Sequence, residues 1–311
     1  MKLLATCAAI TLIATGASAQ TPQLNLDDVL DVGAQWLRDN VDTNVLQSLP
    51  QLDEKQAALL LQRFQAQFQG EYIVDVARLR PLAAVALPWI EQDETLRPYA
   101  PWLRSRMDYF DAANQLSLLI PPPRIVPGQP TPKPANPTPA LQRRVWTSVV
   151  ATEPWPAAAN QLVPRLKPIF LSERVPAELV WMAEVESAFD PKAKSPAGAA
   201  GLYQLMPATA KRQGLSLFPG DQRLDPEKSA RASARYLHAL HGEFRDWPLS
   251  LAAYNVGEGR VRSLLTKYKT KSFDGIASHL PAETQMYVPK VEAVIQRREG
   301  KALAKLTGPK G

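Results

Sequence analysis

The chain has 311 residues, 45% of them hydrophobic and 21% charged, with a formal net charge of +6 and one cysteine. This is the balance of a soluble globular protein with material for sizeable cores, long enough for two domains at roughly 100–200 residues each. It excludes a disordered chain, and the lone Cys7 excludes a disulfide framework and a thiolate metal site.

Residues 1–19 read as a cleavable export signal. Lys2 is followed by the apolar run Leu3–Thr15 and then by Ala17-Ser18-Ala19, an A-x-A cleavage pattern. The run is too short to cross a bilayer. Thr6 before Cys7 and the short apolar stretch ahead of it disfavour a lipid anchor. Cleavage before Gln20 would remove Cys7 and leave no cysteine. That suits an exported protein of a bacterial periplasm or envelope whose cores need no disulfides.

Residues 20–120 are patterned as helices throughout and read as a separate N-terminal helical module of unassigned role. One amphipathic segment opens at Leu26, a second at Asp53 with Phe64 and Phe68 on it, and others run over Asp75–Leu87 and Tyr99–Leu116. Trp89, Trp102, Tyr109 and Phe110 are candidate core residues. Residues 121–139 contain nine prolines in nineteen positions, predicting an extended linker and a domain boundary. Charge changes sign across it: 10 basic against 14 acidic residues over 20–139, but 25 against 16 over 140–311. The basic half suits an anionic partner or a solvated surface. No nucleic-acid-binding motif accompanies it, and export argues against such a partner.

After the linker, a helix is predicted over Trp155–Phe170, kinked near Pro164 and Pro168. Another opens at Val175-Pro176 and ends at Glu186. Leu179, Met182, Ala183 and Glu186 share one face of it, so Glu186 stands where a hydrophobe is due. Burial there would raise its pKa and make it a general acid; phase alone equally allows a buried ion pair or a misjudged face. Glu184 lies about 200° round the helix and Asp190 precedes Pro191, so neither reads as a second catalytic carboxylate. A small-residue loop with Gly198 and Gly201 follows. Short helices are expected over Pro207–Gln213 and Pro248–Asn255, a longer one from Asp225, and a last one over Pro281–Glu299, bent at Pro289. Residues 301–311 read as a basic tail. His238, His241 and His279 lack metal-ligand spacing, and neither metal nor cofactor is predicted.

Four ordered motifs carry a resemblance: Glu186-Ser187; Ser195-Pro196-Ala197-Gly198-Ala199 leading to Gly201-Leu202-Tyr203-Gln204-Leu205-Met206-Pro207; Ala252-Ala253-Tyr254-Asn255 with Gly257; and Glu283-Thr284-Gln285-Met286-Tyr287-Val288. Together, over roughly residues 155–295, they resemble the catalytic domain of bacterial lytic transglycosylases, nearest the membrane-bound type D enzymes. The resemblance implies a mainly α, lysozyme-like helical catalytic domain over 140–300, with a small β-hairpin. It implies cleavage of the MurNAc–GlcNAc bond of peptidoglycan glycan strands without water, leaving 1,6-anhydro ends. Glu186 would be the sole acid and then base. Ser195, Gln204 and Met206 would line the cleft, and Tyr254 would bring its hydroxyl near the acid. Asn255 would hold local geometry. Glu283 and Tyr287 would close the cleft, Glu283 facing positive charge on the sugar. Tyr203, where Trp or Met is common, and Glu227-Lys228 depart from the pattern and put subsite details in doubt. Residues 20–139 lie outside the resemblance, and no wall-binding repeat follows residue 300. A hydrolase like goose-type lysozyme and an inactive wall-binding protein are the competing expectations; protein partners are not indicated.

Overall fold

The computed structural model describes residues 54–121 and 135–307. The export signal, the helix expected from Leu26, most of the Pro-rich stretch and the end of the basic tail lie outside the described residues. The protein is mainly α-helical, and the described residues fall within one compact unit.

The N-terminal segment forms α1 (Glu54–Gln69), α2 (Ile73–Ala77), α3 (Arg80–Gln92), α4 (Ala100–Arg104) and α5 (Met107–Leu119). Two segments expected to be single helices are each broken, for identifiable reasons. Pro81 has no N–H to return to the Ala77 carbonyl, so α2 stops and Pro81 instead occupies the first turn of α3. At Ser105 the side-chain hydroxyl takes the Trp102 carbonyl at 2.9 Å, competing with the main chain and separating α4 from α5. Arg106 sits in that break.

Beyond the Pro-rich stretch come α6 (Pro139–Ala151), α7 (Ala159–Ser172), a 3-10 turn (Ala177–Trp181) leading into α8 (Met182–Ser187), then α9 (Pro207–Arg212), α10 (Pro226–Phe244), α11 (Trp247–Val256), α12 (Glu258–Tyr268) and α13 (Ala282–Glu299). Sequence patterning missed α6 and α12. The cap of α6, Thr138 receiving the Leu141 N–H with Pro139 at the first position, is hidden among the prolines assigned to the linker. Gly257 lies at φ 93 and turns the chain from α11 directly into α12. The small β-hairpin is reduced, among the described residues, to two antiparallel bridges, Lys194 to Ala200 and Ala200 to Leu205. Left-handed turns at Gly198 and Gly201 fall so close to the bridged residues that no longer ladder can form.

In their described part the N-terminal helices pack against α6, beyond the Pro-rich stretch. Phe68 meets Tyr109 edge-on at 5.8 Å, and Tyr109 meets Trp146 of α6 at 5.1 Å, so one aromatic core spans both sides of the Pro-rich stretch. Each fully buried ring of this kind contributes roughly 1.5–3 kcal/mol. Helix α13 forms the axis of the fold, packed on α6, α11, α8 and the 3-10 turn, and buried from Ala282 to Val291 with Pro289 inside it.

Candidate active site

Glu186 lies in the last turn of α8. The residues leading to it, Leu179, Val180, Trp181, Met182, Ala183 and Val185, are all essentially inaccessible, and Glu186 itself is only 4% exposed. The chain then leaves through left-handed conformations at Ala188 and Phe189, returning the Phe189 N–H to the Ala183 carbonyl at 3.1 Å. Ser187 lies within hydrogen-bond reach of the carbonyls of Ala183 and Leu202, at 3.1 and 2.9 Å, joining the helix end to the glycine loop.

Among the described residues one side chain hydrogen-bonds the carboxyl: the Tyr287 hydroxyl donates to Glu186 Oε1 at 2.7 Å. Burial pushes the Glu186 pKa up to about 7, against the opposing pull of Arg106 and the Tyr287 hydrogen bond. The phenols of Tyr287 and Tyr254 are raised well above their ordinary value, by burial first and by the Glu186 charge second. Both therefore act as hydrogen-bond donors at neutral pH, not as bases.

The other expected site residues take distinct places. Tyr254 donates to the Tyr203 carbonyl at 2.7 Å and contacts the Ser233 hydroxyl, so its hydroxyl is held by the glycine loop and α10. Asn255 accepts from Thr284 at 2.6 Å, tying α11 to the first turn of α13. Ser195 is buried and accepts the Ala199 N–H at 3.0 Å, closing its turn. Gln204, at a left-handed φ of 44°, donates its amide to the carbonyls of Ala193 and Gly201 at 3.1 and 2.9 Å. Its amide oxygen is buried with no hydrogen-bond partner. Met206 is 43% exposed. Glu283 is buried, with one oxygen on Arg106 at 3.0 Å and the other on Gln69 at 3.1 Å. Glu184 forms a two-pronged pair with Arg298 at 2.7 and 3.0 Å, and Asp190 receives the Lys192 N–H at 2.7 Å. Both have structural partners.

Two supporting arginines escaped the sequence reading. Arg223 gives one nitrogen to the carbonyls of Gly198 and Leu205, both at 2.8 Å, and pairs with Asp221 at 2.7 Å. It thereby fixes the loop that carries Gln204. Arg106 reaches Glu186 and Glu283 from the N-terminal helices. The first could have been suspected from an Asp-x-Arg pair beside the loop; the second has no local signal at all.

Residues 172–276 match the family model described as Transglycosylase SLT domain. Over 124 residues the chain is 44% identical to the membrane-bound lytic murein transglycosylase D of Escherichia coli K12, covering 39% of this chain and 27% of that one. Over 122 residues it is 40% identical to the soluble lytic murein transglycosylase of the same organism, covering 36% and 19%. A solved structure of an inactive mutant of the lytic transglycosylase Slt from Pseudomonas aeruginosa aligns with 90% of this chain and 52% of its own, at 17% identity and a TM-score of 0.42. The chain spans about a quarter of the length of the type D relative.

Proposed function

We propose that this chain, whose residues 172–276 match the transglycosylase SLT domain model, is an exported lytic transglycosylase acting on the glycan strands of peptidoglycan. In this reading Glu186 protonates the oxygen between N-acetylmuramic acid and N-acetylglucosamine, and the C1–O bond breaks. The resulting carboxylate removes the proton of the muramic 6-hydroxyl, whose oxygen closes on C1. The product is a 1,6-anhydro ring, water does not enter, and Glu186 ends protonated as it began. The observation that carries the proposal is a buried carboxyl, poised near pH 7, whose side-chain hydrogen-bond partner among the described residues is a phenol. A two-carboxylate glycosidase needs a second free acid about 5–9.5 Å away. Glu283 does not offer one, since both its oxygens are engaged by Arg106 and Gln69.

Gln204, with its unpartnered amide oxygen, is the residue proposed to accept a hydrogen bond from the sugar. Ser195, Met206, Tyr254, Asn255, Glu283 and Tyr287 complete the proposed substrate-binding set. Among the described residues no helix is long and apolar enough to cross a membrane.

The test is mass spectrometry of the material released from purified sacculi. Anhydro-muramic ends are expected; ends heavier by one water would identify a hydrolase and overturn the proposal. The pH dependence follows from the same carboxyl. Free enzyme must hold the Glu186 proton to begin, so kcat/KM is expected to be level below about pH 7 and to fall tenfold per pH unit above it. A profile still rising at pH 9 contradicts Glu186 as the acid.

A further inference from the structure

The N-terminal helices touch the catalytic half at more than its outer surface. Arg106, in the break between α4 and α5, is 4% exposed, and its guanidinium lies over the Trp102 ring at 5.5 Å. One terminal nitrogen donates to the main-chain carbonyl of Glu186 at 3.0 Å, a residue 80 positions later. The other donates to Glu283 at 3.0 Å, 177 positions later. Gln69, at the end of α1, takes the second Glu283 oxygen. Main-chain bonds flank this pair: the Ala282 N–H reaches the Gly70 carbonyl at 2.7 Å, and the Lys194 N–H reaches the Pro98 carbonyl at 3.2 Å. The same N-terminal segment thus holds the start of α13, which carries Glu283 and Tyr287, and the loop that carries Ser195 and Gln204.

We propose that the N-terminal helical segment is a working part of the active centre and that Arg106 is its positioning residue, fixing Glu186 through its main-chain carbonyl and Glu283 through its carboxylate. A planar, two-pronged donor matches this pair, one terminal nitrogen to each acceptor. The guanidinium, which also donates to the Ser105 hydroxyl at 2.9 Å, is so enclosed that it has no water to fall back on, so these bonds are kept throughout the reaction. Helix α8 is short, and the carbonyl Arg106 binds belongs to its last turn, where no further intrahelical donor is due. The acid is therefore held from behind by a segment outside the matched family domain. The inference rests on the reading of Glu186 as the acid.

The charged and titratable groups facing Glu186 are Arg106 and Tyr109 from the N-terminal segment, Glu283, Tyr287 and Lys290 from α13, and Tyr254 from α11. Arg106 draws the Glu186 proton affinity down more strongly than Glu283 raises it. The test uses the full chain labelled with 13C-glutamate, in which the Glu186 carboxyl resonance is identified by its loss in Glu186→Gln. In Arg106→Gln/Glu283→Gln, which leaves no unpaired buried charge, the Glu186 midpoint is expected to move upward, and the alkaline limb of muropeptide release to move with it. Release at pH 7 is expected to fall about 100-fold as the acid loses its rear support. Arg106→Lys keeps the charge but can hold one acceptor well at a time, so its midpoint stays near that of the wild type while release falls about tenfold. An unshifted or lowered midpoint in the double variant, or wild-type release by both variants, overturns the proposal. If the wild type itself releases no anhydro-muropeptides, the functional reading fails, while the titration, which needs no substrate, still decides what Arg106 does to Glu186.

Discussion

Glu186→Gln is expected to abolish release of anhydro-muropeptides from sacculi, by at least a factor of about 1,000. One carboxyl carries both proton transfers in the proposed reaction, and each such transfer contributes roughly 100- to 10,000-fold. Gln keeps the shape and still accepts from the Tyr287 hydroxyl, so the fold and the sugar contacts should persist. The same substitution has an opposite effect on stability, and its sign can be worked out. The Glu186 pKa is about 7 in the folded chain, against 4.5 as the ordinary value. Between those values the folded protein binds more protons than the unfolded one, so stability falls as pH rises through that window. The loss is complete above about pH 7 and amounts to roughly 3 kcal/mol at most. Gln cannot ionise, so the variant lacks this penalty. Its melting temperature relative to the wild type should climb from pH 4.5 to pH 8, whatever its offset at pH 4.5. Parallel stability curves would mean that Glu186 is not the desolvated group described here. An acid buried ready for use therefore costs the fold stability at the pH where it works.

The extent to which the sequence showed this site depends on how local each signal is. Glu186 stood out because an apolar run of one element ended in a carboxylate, and helix phase put it inside. The phase argument was sound in outcome although the segment is not one helix: a 3-10 turn over Ala177–Trp181 precedes α8. Glu184 lies a two-residue step round α8 from Glu186, on the Arg298 side, as helix phase predicts. Gln204 and Tyr287 were legible only through ordered motifs, since nothing in a lone Gln or Tyr distinguishes a cleft from a core. Arg106 was not legible in either way. It is one of several arginines in a helical segment, and its partners lie 80 and 177 residues away. The contact across the Pro-rich stretch was illegible for a related reason. Proline density reports the stiffness of the connecting chain, not whether Tyr109 and Trp146 will meet across it. Missed helices had a different cause. Thr138-Pro139 is a well-formed cap, but its neighbours in sequence are prolines, and composition over a window outweighed the local cap.

Gly201→Ala is expected to destabilise the protein by at least about 3 kcal/mol and to take activity with it. Gly201 lies at φ +83°, where a Cβ is strained in any surroundings, and the Cβ would stand 1.8 Å from the Arg223 carbonyl oxygen. That atom is main chain, and its residue cannot easily yield. The Arg223 side chain is already committed to Gly198, Leu205 and Asp221, and the Gly201 N–H is bonded to the Ala193 carbonyl at 2.9 Å. Relief of the clash must therefore displace either the Arg223 turn or the strand of loop that carries Gln204. Gly198→Ala separates the two contributions. Gly198 has nearly the same φ, +88°, but open space where the Cβ would go, so only the conformational strain remains, about 1 kcal/mol. Chemical denaturation of the two variants side by side measures the difference. Equal losses would mean that the loop is not clamped between Arg223 and Ala193, and the rigid seat proposed for Gln204 would fall with it. Unequal losses, with sacculus activity following Gly201 and not Gly198, would place the cost at the close approach itself. That approach brings the Arg223 main chain against the loop, and through the loop it sets where the unpartnered Gln204 oxygen is held.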